Sequence, residues 1–359
     1  MNHDDYIIRL TDELKAVPTI DDSVVYDEFQ PYVHDTDKLS HVISLGLLRY
    51  EYSKYMQDIK DTRLESDLKA IIHLFRDAYL SDSKAAVEAF VQNYDNISEG
   101  LKNVIQLNYL HNPDIDLSRI DLFAKYSFMQ IGNLIEGTQK YYVQLFYNLA
   151  MIVHQKKPVR NETLGYYVQE LISLHSSFDY LYKGMLYDIE ISQWRNIANH
   201  NSYRCVEDVI EVRYGKGNIK TKAISRLEIE NFFLKMDTVG YLLKIAHVLI
   251  GIDYHEDIFS KIRDKSEKII SDDDIIAQVI ETSFSYGYET INCKKGSNIW
   301  NISIRESTLR EFDKSKIIKF LTVLTSFTSP NMVLDIYNCN AKKIIHAEVK
   351  NRQLTIIKV

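Results

Sequence analysis

The sequence has few of the residues that interrupt helices or cross-link chains. It contains only 12 glycines and 5 prolines among 359 residues, and this scarcity of turn formers predicts a mainly helical protein. Its 3 cysteines, Cys205, Cys293 and Cys339, lie far apart and match no disulfide or metal-ligand spacing. Such cysteine usage is typical of a reducing compartment, so we expect a cytoplasmic protein.

Long apolar runs and a secretory leader are also missing. No uninterrupted apolar stretch reaches the roughly 18 residues that a membrane-spanning helix needs. The first five residues, MNHDD, are acidic and lack the basic region and apolar core of a signal peptide. We therefore expect no membrane association.

Apolar periodicity divides the chain into three predicted regions. Residues 1–120 form an N-terminal helical region, residues 121–252 a second helical domain, and residues 253–359 a small α+β module. The predicted helices are at about 39–57, 63–80, 83–93, 97–110, 122–155, from 164 with a break near Ser176, 226–250 and 308–327. The predicted strands are at about 209–212, 221–224, 299–304, 332–337, 343–349 and 353–358.

Residues 191–204 contain the one cluster of side chains that is typical of a catalytic site. Arg195 and His200 are separated by four residues, and the amide of Asn196 directly follows the arginine. Trp194 supplies an apolar anchor for this segment, and helical periodicity stops at His200. A histidine at such a boundary can face a cleft.

The hexapeptide Arg195-Asn196-Ile197-Ala198-Asn199-His200 resembles the Arg-polar-x3-His signature of the HEPN superfamily, whose members are helical and often metal-independent ribonucleases. The predicted helices around it agree with this resemblance, which covers about residues 120–252. It implies a mainly α protein with a HEPN-like helical bundle, flanked by the N-terminal helical region and the C-terminal α+β module. One departure is that a toxin subgroup has a tyrosine two residues after the histidine, where this chain has Ser202.

The chemistry of RNA cleavage gives these residue types a role. The 2′-hydroxyl of RNA can attack the neighbouring phosphate, so a catalyst needs a group that moves protons near neutral pH and a fixed positive charge. His200 can supply the first and Arg195 the second, while Asn196 can orient the phosphate or the histidine. The resemblance implies products with a 2′,3′-cyclic phosphate and a 5′-hydroxyl, with no metal and no other cofactor.

A basic segment follows the motif in an otherwise acidic chain. The net charge is −7, yet residues 195–226 carry seven basic residues against three acidic ones. We assign Tyr203, Arg204, Lys220 and Lys222 to substrate binding, because they lie next to the motif. The alternative is a solvated hairpin with ordinary surface lysines.

The spacing also bears on oligomeric state. Five residues along a straight helix rotate by about 140°, so Arg195 and His200 of one copy would not share a face. Either the helix distorts at its end or two copies pool their motifs. The family resemblance favours pooling, and we expect a homodimer with a composite cleft.

Two other groups of ionisable residues are set aside. Glu136 lies four residues before Lys140, and an exposed ion pair on one helix explains it without a catalytic role. His34 and His41, with Asp35 between them, fit no zinc or calcium loop. We expect no metal site.

The predicted function is a metal-independent endoribonuclease that acts as a toxin or anti-phage defence effector, a role that rests on the resemblance alone. The flanking regions could sense a trigger, restrain the nuclease or bind an inhibitor protein. One alternative is a noncatalytic HEPN-like module that binds RNA or a partner protein. Another is an inert bundle in which Arg195 forms a salt bridge and His200 caps a helix.

Overall fold

The computed structural model describes residues 21–44, 48–109, 117–215, 217–265, 283, 288–295, 299–306, 331–338, 340, 342–350 and 353–358. The chain divides into two compact units, one of residues 54–265 and one that combines residues 1–53 with residues 266–359. The protein is mainly α-helical, as predicted. Within the described residues, no helix has the length and apolar character needed to cross a bilayer. The predicted three-region division, with boundaries at 120 and 252, stays a prediction.

The first three helices of the described residues begin at a capped turn. They are α1 (Asp22–Phe29), α2 (Thr36–Ser44) and α3 (Arg49–Lys54). The carboxylate of Asp21 accepts a hydrogen bond from the Ser23 amide at 2.9 Å and caps α1. Residues 45–47, in the middle of the helix predicted at 39–57, lie outside the described residues, as does the helix predicted at 308–327.

Two long helices follow a π-helical turn over Tyr55–Ile59. They are α4 (Arg63–Ser81), as predicted, and α5 (Ser83–Tyr109). The prediction of separate helices at 83–93 and 97–110 is wrong, because α5 runs through without a break. Asn96 and Ser98, near the predicted break, each cost only a few tenths of a kcal/mol in a helix interior. Ile97 between them is buried, and its packing favours a continuous helix.

The remaining helices include the one that carries the motif. They are α6 (Ile120–Leu134), which continues through a π turn over Ile135–Gln139, then α7 (Lys140–Val153), α8 (Leu164–Leu174), α9 (Phe178–Tyr182), α10 (Ile191–Asn199), α11 (Arg226–Asp253) and α12 (His255–Lys265). The predicted break near Ser176 is confirmed. The motif helix α10 follows an irregular turn, in which Tyr187 and Asp188 both adopt left-handed φ values of 59°.

Along the chain, a three-stranded antiparallel sheet follows α10 and precedes α11. It consists of β1 (Tyr203–Val206), β2 (Val209–Tyr214) and β3 (Lys220–Ser225), in that order. The predicted hairpin of β2 and β3 is confirmed, whereas no sequence pattern indicated β1. Alternation of side chains puts Ile210, Val212 and Ile224 on the buried face of the sheet.

The second sheet has five strands in sequence order. They are β4 (Tyr288–Lys295), β5 (Trp300–Glu306), β6 (Asn331–Tyr337), β7 (Lys343–Lys350) and β8 (Gln353–Lys358). Only the pair β5 and β6 is parallel among these strands. The four strands predicted here are confirmed, and β4 is additional.

Helix packing in residues 54–265 positions the motif. The central helix α7 packs against α4, α5 and α8, while α10 packs against α6 and β2. At the start of α11, Ser225 and Glu228 form a reciprocal capping box. The motif helix is therefore held between the helical core and the three-stranded sheet.

Candidate active site

Helix α10 is anchored by its apolar side. Trp194 is fully buried, its indole Nε1 donates a hydrogen bond to the Leu186 carbonyl at 3.0 Å, and its ring centroid lies 4.5 Å from that of Phe232. A Cβ atom built on Gly132 of α6 would lie 2.8 Å from Oδ1 of Asn199. The two helices therefore approach closely, and this contact fixes the end of α10.

A tight helix stop presents His200 to solvent. Its amide donates to the Asn196 carbonyl at 3.0 Å, and the Ser202 amide donates to the Ile197 carbonyl at 3.0 Å. Asn201 between them adopts a left-handed φ of 49°, as expected for a helix that ends in a Schellman-type turn. The exposed imidazole of His200 makes no hydrogen bond with any residue that the structure describes. It is free to contact a ligand.

The side chain of His200 lies in a cleft of about 590 Å³ between the end of α10 and the three-stranded sheet. Asn196, four residues earlier on the same helix face, lies there too. The remaining lining residues are Gln193, Asn201, Ser202, Tyr203, Arg204, Arg213, Tyr214, Gly215 and Ile219. The cleft therefore combines an imidazole, two guanidinium groups, amides and aromatic rings.

Arg195 does not line this cleft. Its Nε donates a hydrogen bond to Oε1 of Glu136, and the other oxygen of Glu136 lies 3.3 Å from Nζ of Lys140. Nη1 of Arg195 lies 3.4 Å from Oδ1 of Asn196, which is the link between this ion-pair cluster and the cleft. Arg195 and His200 thus point to different sides of α10, as the helix rotation predicts.

Glu136 is not among the predicted site residues, but the structure brings it into contact with Arg195 of the motif. Burial raises the pKa of its carboxyl group, but the hydrogen bond from Arg195 and the charge of Lys140 outweigh burial and hold that pKa below its usual value. The predicted ion pair of Glu136 with Lys140 is present. Glu136 therefore has two partners, Lys140 and Arg195. Glu136 also lies in a π turn, a distortion that is frequent at functional sites.

Two of the four predicted substrate-binding residues lie at the cleft. The ring of Tyr203 stacks on Phe128 with centroids 4.3 Å apart, and burial raises the pKa of its hydroxyl. Arg204 is exposed on β1, but its Nε donates to Oε2 of Glu211 at 2.6 Å. Tyr203 therefore forms part of the cleft wall, and the guanidinium of Arg204 already has a carboxylate partner.

The other two predicted residues lie elsewhere. Lys222 is half-buried, and its Nζ donates a hydrogen bond to the Tyr187 carbonyl at 2.8 Å, so it stabilises the irregular turn before α10. Lys220 is exposed and lines a neighbouring groove of about 480 Å³ that also contains Asp188 and Glu190. The structure does not bring either lysine together with His200.

Gln193 and Arg213 also line the cleft, although no sequence pattern indicated them as site residues. The side-chain oxygen of Gln193 accepts a hydrogen bond from the Gly215 amide at 3.0 Å, and the Arg213 amide donates to the Ser202 carbonyl at 2.8 Å. These bonds attach the end of β2 to the motif helix. The position of Arg213 depends on the pairing of β1 with β2, and no sequence signal indicated β1.

Among the residues that the structure describes, no three histidine, cysteine, aspartate or glutamate side chains are grouped so that they could hold a metal ion. Comparisons with known proteins found no matching family model, no matching curated protein and no matching solved structure.

Proposed function

We propose that this protein is a metal-independent endoribonuclease with a HEPN-like helical domain. The observation that carries the proposal is the exposed imidazole of His200, held at a fixed helix end inside a cleft that also contains arginine and amide side chains. A polyanionic substrate needs cationic groups, and strand cleavage needs a proton-transfer group beside them. The cleft offers both within one chain.

The proposed reaction is attack of a ribose 2′-hydroxyl on the adjacent phosphorus. The bond from the 2′-oxygen to phosphorus forms, and the bond from phosphorus to the 5′-oxygen breaks. The 2′-hydroxyl gives up a proton and the departing 5′-oxygen gains one, so that a 2′,3′-cyclic phosphate and a 5′-hydroxyl result. His200 takes part in this proton transfer, and Asn196 orients the phosphate or the imidazole ring.

Arg195 stabilises the charge that develops on the phosphorane-like transition state. Its ion pair with Glu136 fixes the guanidinium on the side of α10 that faces away from His200. One chain therefore separates the two groups, and this separation supports a homodimer in which Arg195 of one copy serves the His200 cleft of the other.

Mixing two inactive variants tests the composite cleft. Arg195→Ala chains and His200→Ala chains, combined under conditions that allow subunit exchange, form mixed dimers in which one cleft has both residues. We expect the mixture to regain up to about a quarter of the wild-type activity, because half of the dimers are mixed and each has one of two clefts intact. A mixture as inactive as its components would contradict pooling.

The proposed biological role rests on the resemblance of the motif to those of HEPN toxins and defence effectors. An enzyme that cuts RNA on a trigger can arrest growth, so we propose a toxin or anti-phage defence effector. The five-stranded sheet module and the N-terminal helices are then available to sense a trigger or to bind an inhibitor protein. Growth arrest on expression of the wild type, absent on expression of His200→Ala, is the expected result.

The experiment that tests the proposed function is RNA cleavage by the purified protein in EDTA. We expect His200→Ala to lose about 10²- to 10⁴-fold in rate, the usual contribution of a general acid or base. His73, an exposed histidine on α4, gives the matched control His73→Ala, which should cleave at the wild-type rate. RNA binding without any cleavage would instead support the noncatalytic alternative.

A further inference from the structure

Arg213 is the cleft arginine whose guanidinium has no acidic partner among the described residues. The other cleft arginine, Arg204, donates a hydrogen bond from Nε to Oε2 of Glu211 at 2.6 Å, and its Nη2 lies 2.5 Å from the same oxygen. The side chain of Arg213 is exposed and forms no ion pair or hydrogen bond with any described residue. Of the two arginines in the cleft, Arg213 is therefore the one available to an incoming anion.

The strand register explains why Arg213 lacks a carboxylate. Side chains alternate along β2, so Glu211 and Arg213 lie on the same face of the sheet. Arg204 lies directly opposite Glu211 in the register and takes up its carboxylate. Arg213 lies opposite Thr221, which carries no charge. The local ion pairing is thus complete without Arg213.

The backbone of Arg213 is fixed close to His200. Its amide donates to the Ser202 carbonyl at 2.8 Å, and Ser202 is two residues after His200 in the helix stop. Two residues further along, the Gly215 amide donates to the side chain of Gln193 on α10. These two bonds hold the end of β2 against the helix that carries His200, so the backbone position of Arg213 is fixed before RNA binds.

We infer that Arg213 binds the RNA phosphate at the cleavage site, from the same chain as His200, an inference that rests on the proposed ribonuclease function. A guanidinium presents a planar set of donors that matches two phosphate oxygens. Arg213 then contributes to binding of the uncleaved RNA, while Arg195, held by Glu136, acts on the transition state. The two arginines have separable effects on Kd and kcat.

The test measures binding of a short single-stranded RNA with 2′-O-methyl sugars, which lacks the nucleophile and cannot be cleaved. Arg213→Gln keeps much of the aliphatic side chain and removes the charge. We expect its Kd to rise about tenfold or more, and the slope of log Kd against log salt to fall by about 0.7, the value for one phosphate contact on a single strand. On cleavable RNA, KM should rise more than kcat falls.

Arg160 provides the matched control. It is an exposed arginine in the loop between α7 and α8, so Arg160→Gln removes the same charge away from the cleft. Its Kd should change less than about twofold. An Arg213→Gln protein that melts like the wild type and binds RNA with unchanged Kd and salt slope overturns the inference. Wild-type protein that neither binds nor cleaves RNA overturns the ribonuclease proposal itself.

Discussion

At the scale of single residues, the motif separates into two clusters on opposite sides of α10. His200 and Asn196 line the cleft, whereas Arg195 lies in an ion-pair cluster with Glu136 and Lys140. The contact between Arg195 and Asn196 at 3.4 Å joins the two clusters. We therefore treat Glu136 as a positioning residue, which acts on the reaction through Arg195.

Glu136→Gln tests this positioning role. The substitution keeps the shape of the side chain and removes the charge that orients Arg195, so we expect kcat to fall about tenfold, an effect of about 1.4 kcal/mol. RNA binding should change little, because Arg195 acts on the transition state and not on binding of the uncleaved RNA. The side chains of the pair are about one third exposed, and solvent screening should keep the loss of stability below about 1 kcal/mol.

Glu88, an exposed glutamate on α5, supplies the control Glu88→Gln for the same loss of charge. Its kcat should match that of the wild type. If Glu136→Gln also cleaves RNA at the wild-type rate, Glu136 does not position Arg195 for catalysis.

The sequence identified the motif residues but not their surroundings. The resemblance to the Arg-polar-x3-His signature indicates Arg195, Asn196 and His200, and helix rotation predicts that Arg195 and His200 face different sides of α10. Glu136 is 59 residues away from Arg195 in the chain. Its pair with Lys140 on the same helix gave no reason to expect Arg195 as a second partner. Arg213 could not be found, since its place beside Ser202 depends on a four-residue strand.

At the scale of helices and strands, the long amphipathic helices were predictable because each has a continuous apolar stripe. The boundaries of α4 and the start of α8 follow from this pattern and from threonine caps at Thr62 and Thr163. The pattern failed for α5, where polar residues near Ile97 looked like a break. It also failed for β1, which is too short for a clear alternation.

Two ionisable side chains in residues 54–265 make opposite contributions to the pH dependence of folding stability. Burial lowers the pKa of His247 on α11 from 6.5 to about 4, and its ring stacks on Phe90 with centroids 4.3 Å apart. Burial raises the pKa of Asp67 on α4 from 3.8 to about 6. One buried carboxyl oxygen of Asp67 has no hydrogen-bond partner among the described residues.

The signs follow from proton binding in the two states. Between about pH 4 and 6.5 the unfolded chain holds more protons at position 247 than the folded one, so His247 makes stability fall as the pH falls. Between pH 3.8 and about 6 the folded chain holds more protons at position 67, so Asp67 makes stability fall as the pH rises. In the shared window the two contributions partly cancel.

Single substitutions should expose each contribution in denaturant unfolding between pH 4 and 8. With Asp67→Asn we expect higher stability than the wild type at pH 7 and a steeper loss of stability on acidification, because only His247 then acts. With His247→Phe we expect the acid loss to become smaller or to reverse. Unchanged slopes, which can shift by at most about 1.4 kcal/mol per pH unit for one group, would contradict these pKa directions.

At the scale of the whole molecule, the proposed chemistry lies in one of the two compact units. Residues 54–265 contain the motif helix, the three-stranded sheet and the cleft. The five-stranded sheet has a buried face, with Trp300, Leu334 and Ile336 fully covered, and a partly exposed polar face with Ser303, Asp335 and His346. The sequence predicted most of its strands and no chemistry for it.

The chemistry of the RNA ends after cleavage by the purified protein in EDTA shows whether His200 catalyses attack by the 2′-hydroxyl. Attack by the 2′-hydroxyl predicts fragments with a 2′,3′-cyclic phosphate and a 5′-hydroxyl, absent with His200→Ala and present with His73→Ala. A single 2′-deoxy nucleotide at the cleaved position should block the cut. Fragments with 5′-phosphate ends would contradict attack by the 2′-hydroxyl. Cleavage that survives in His200→Ala would contradict a catalytic role of His200.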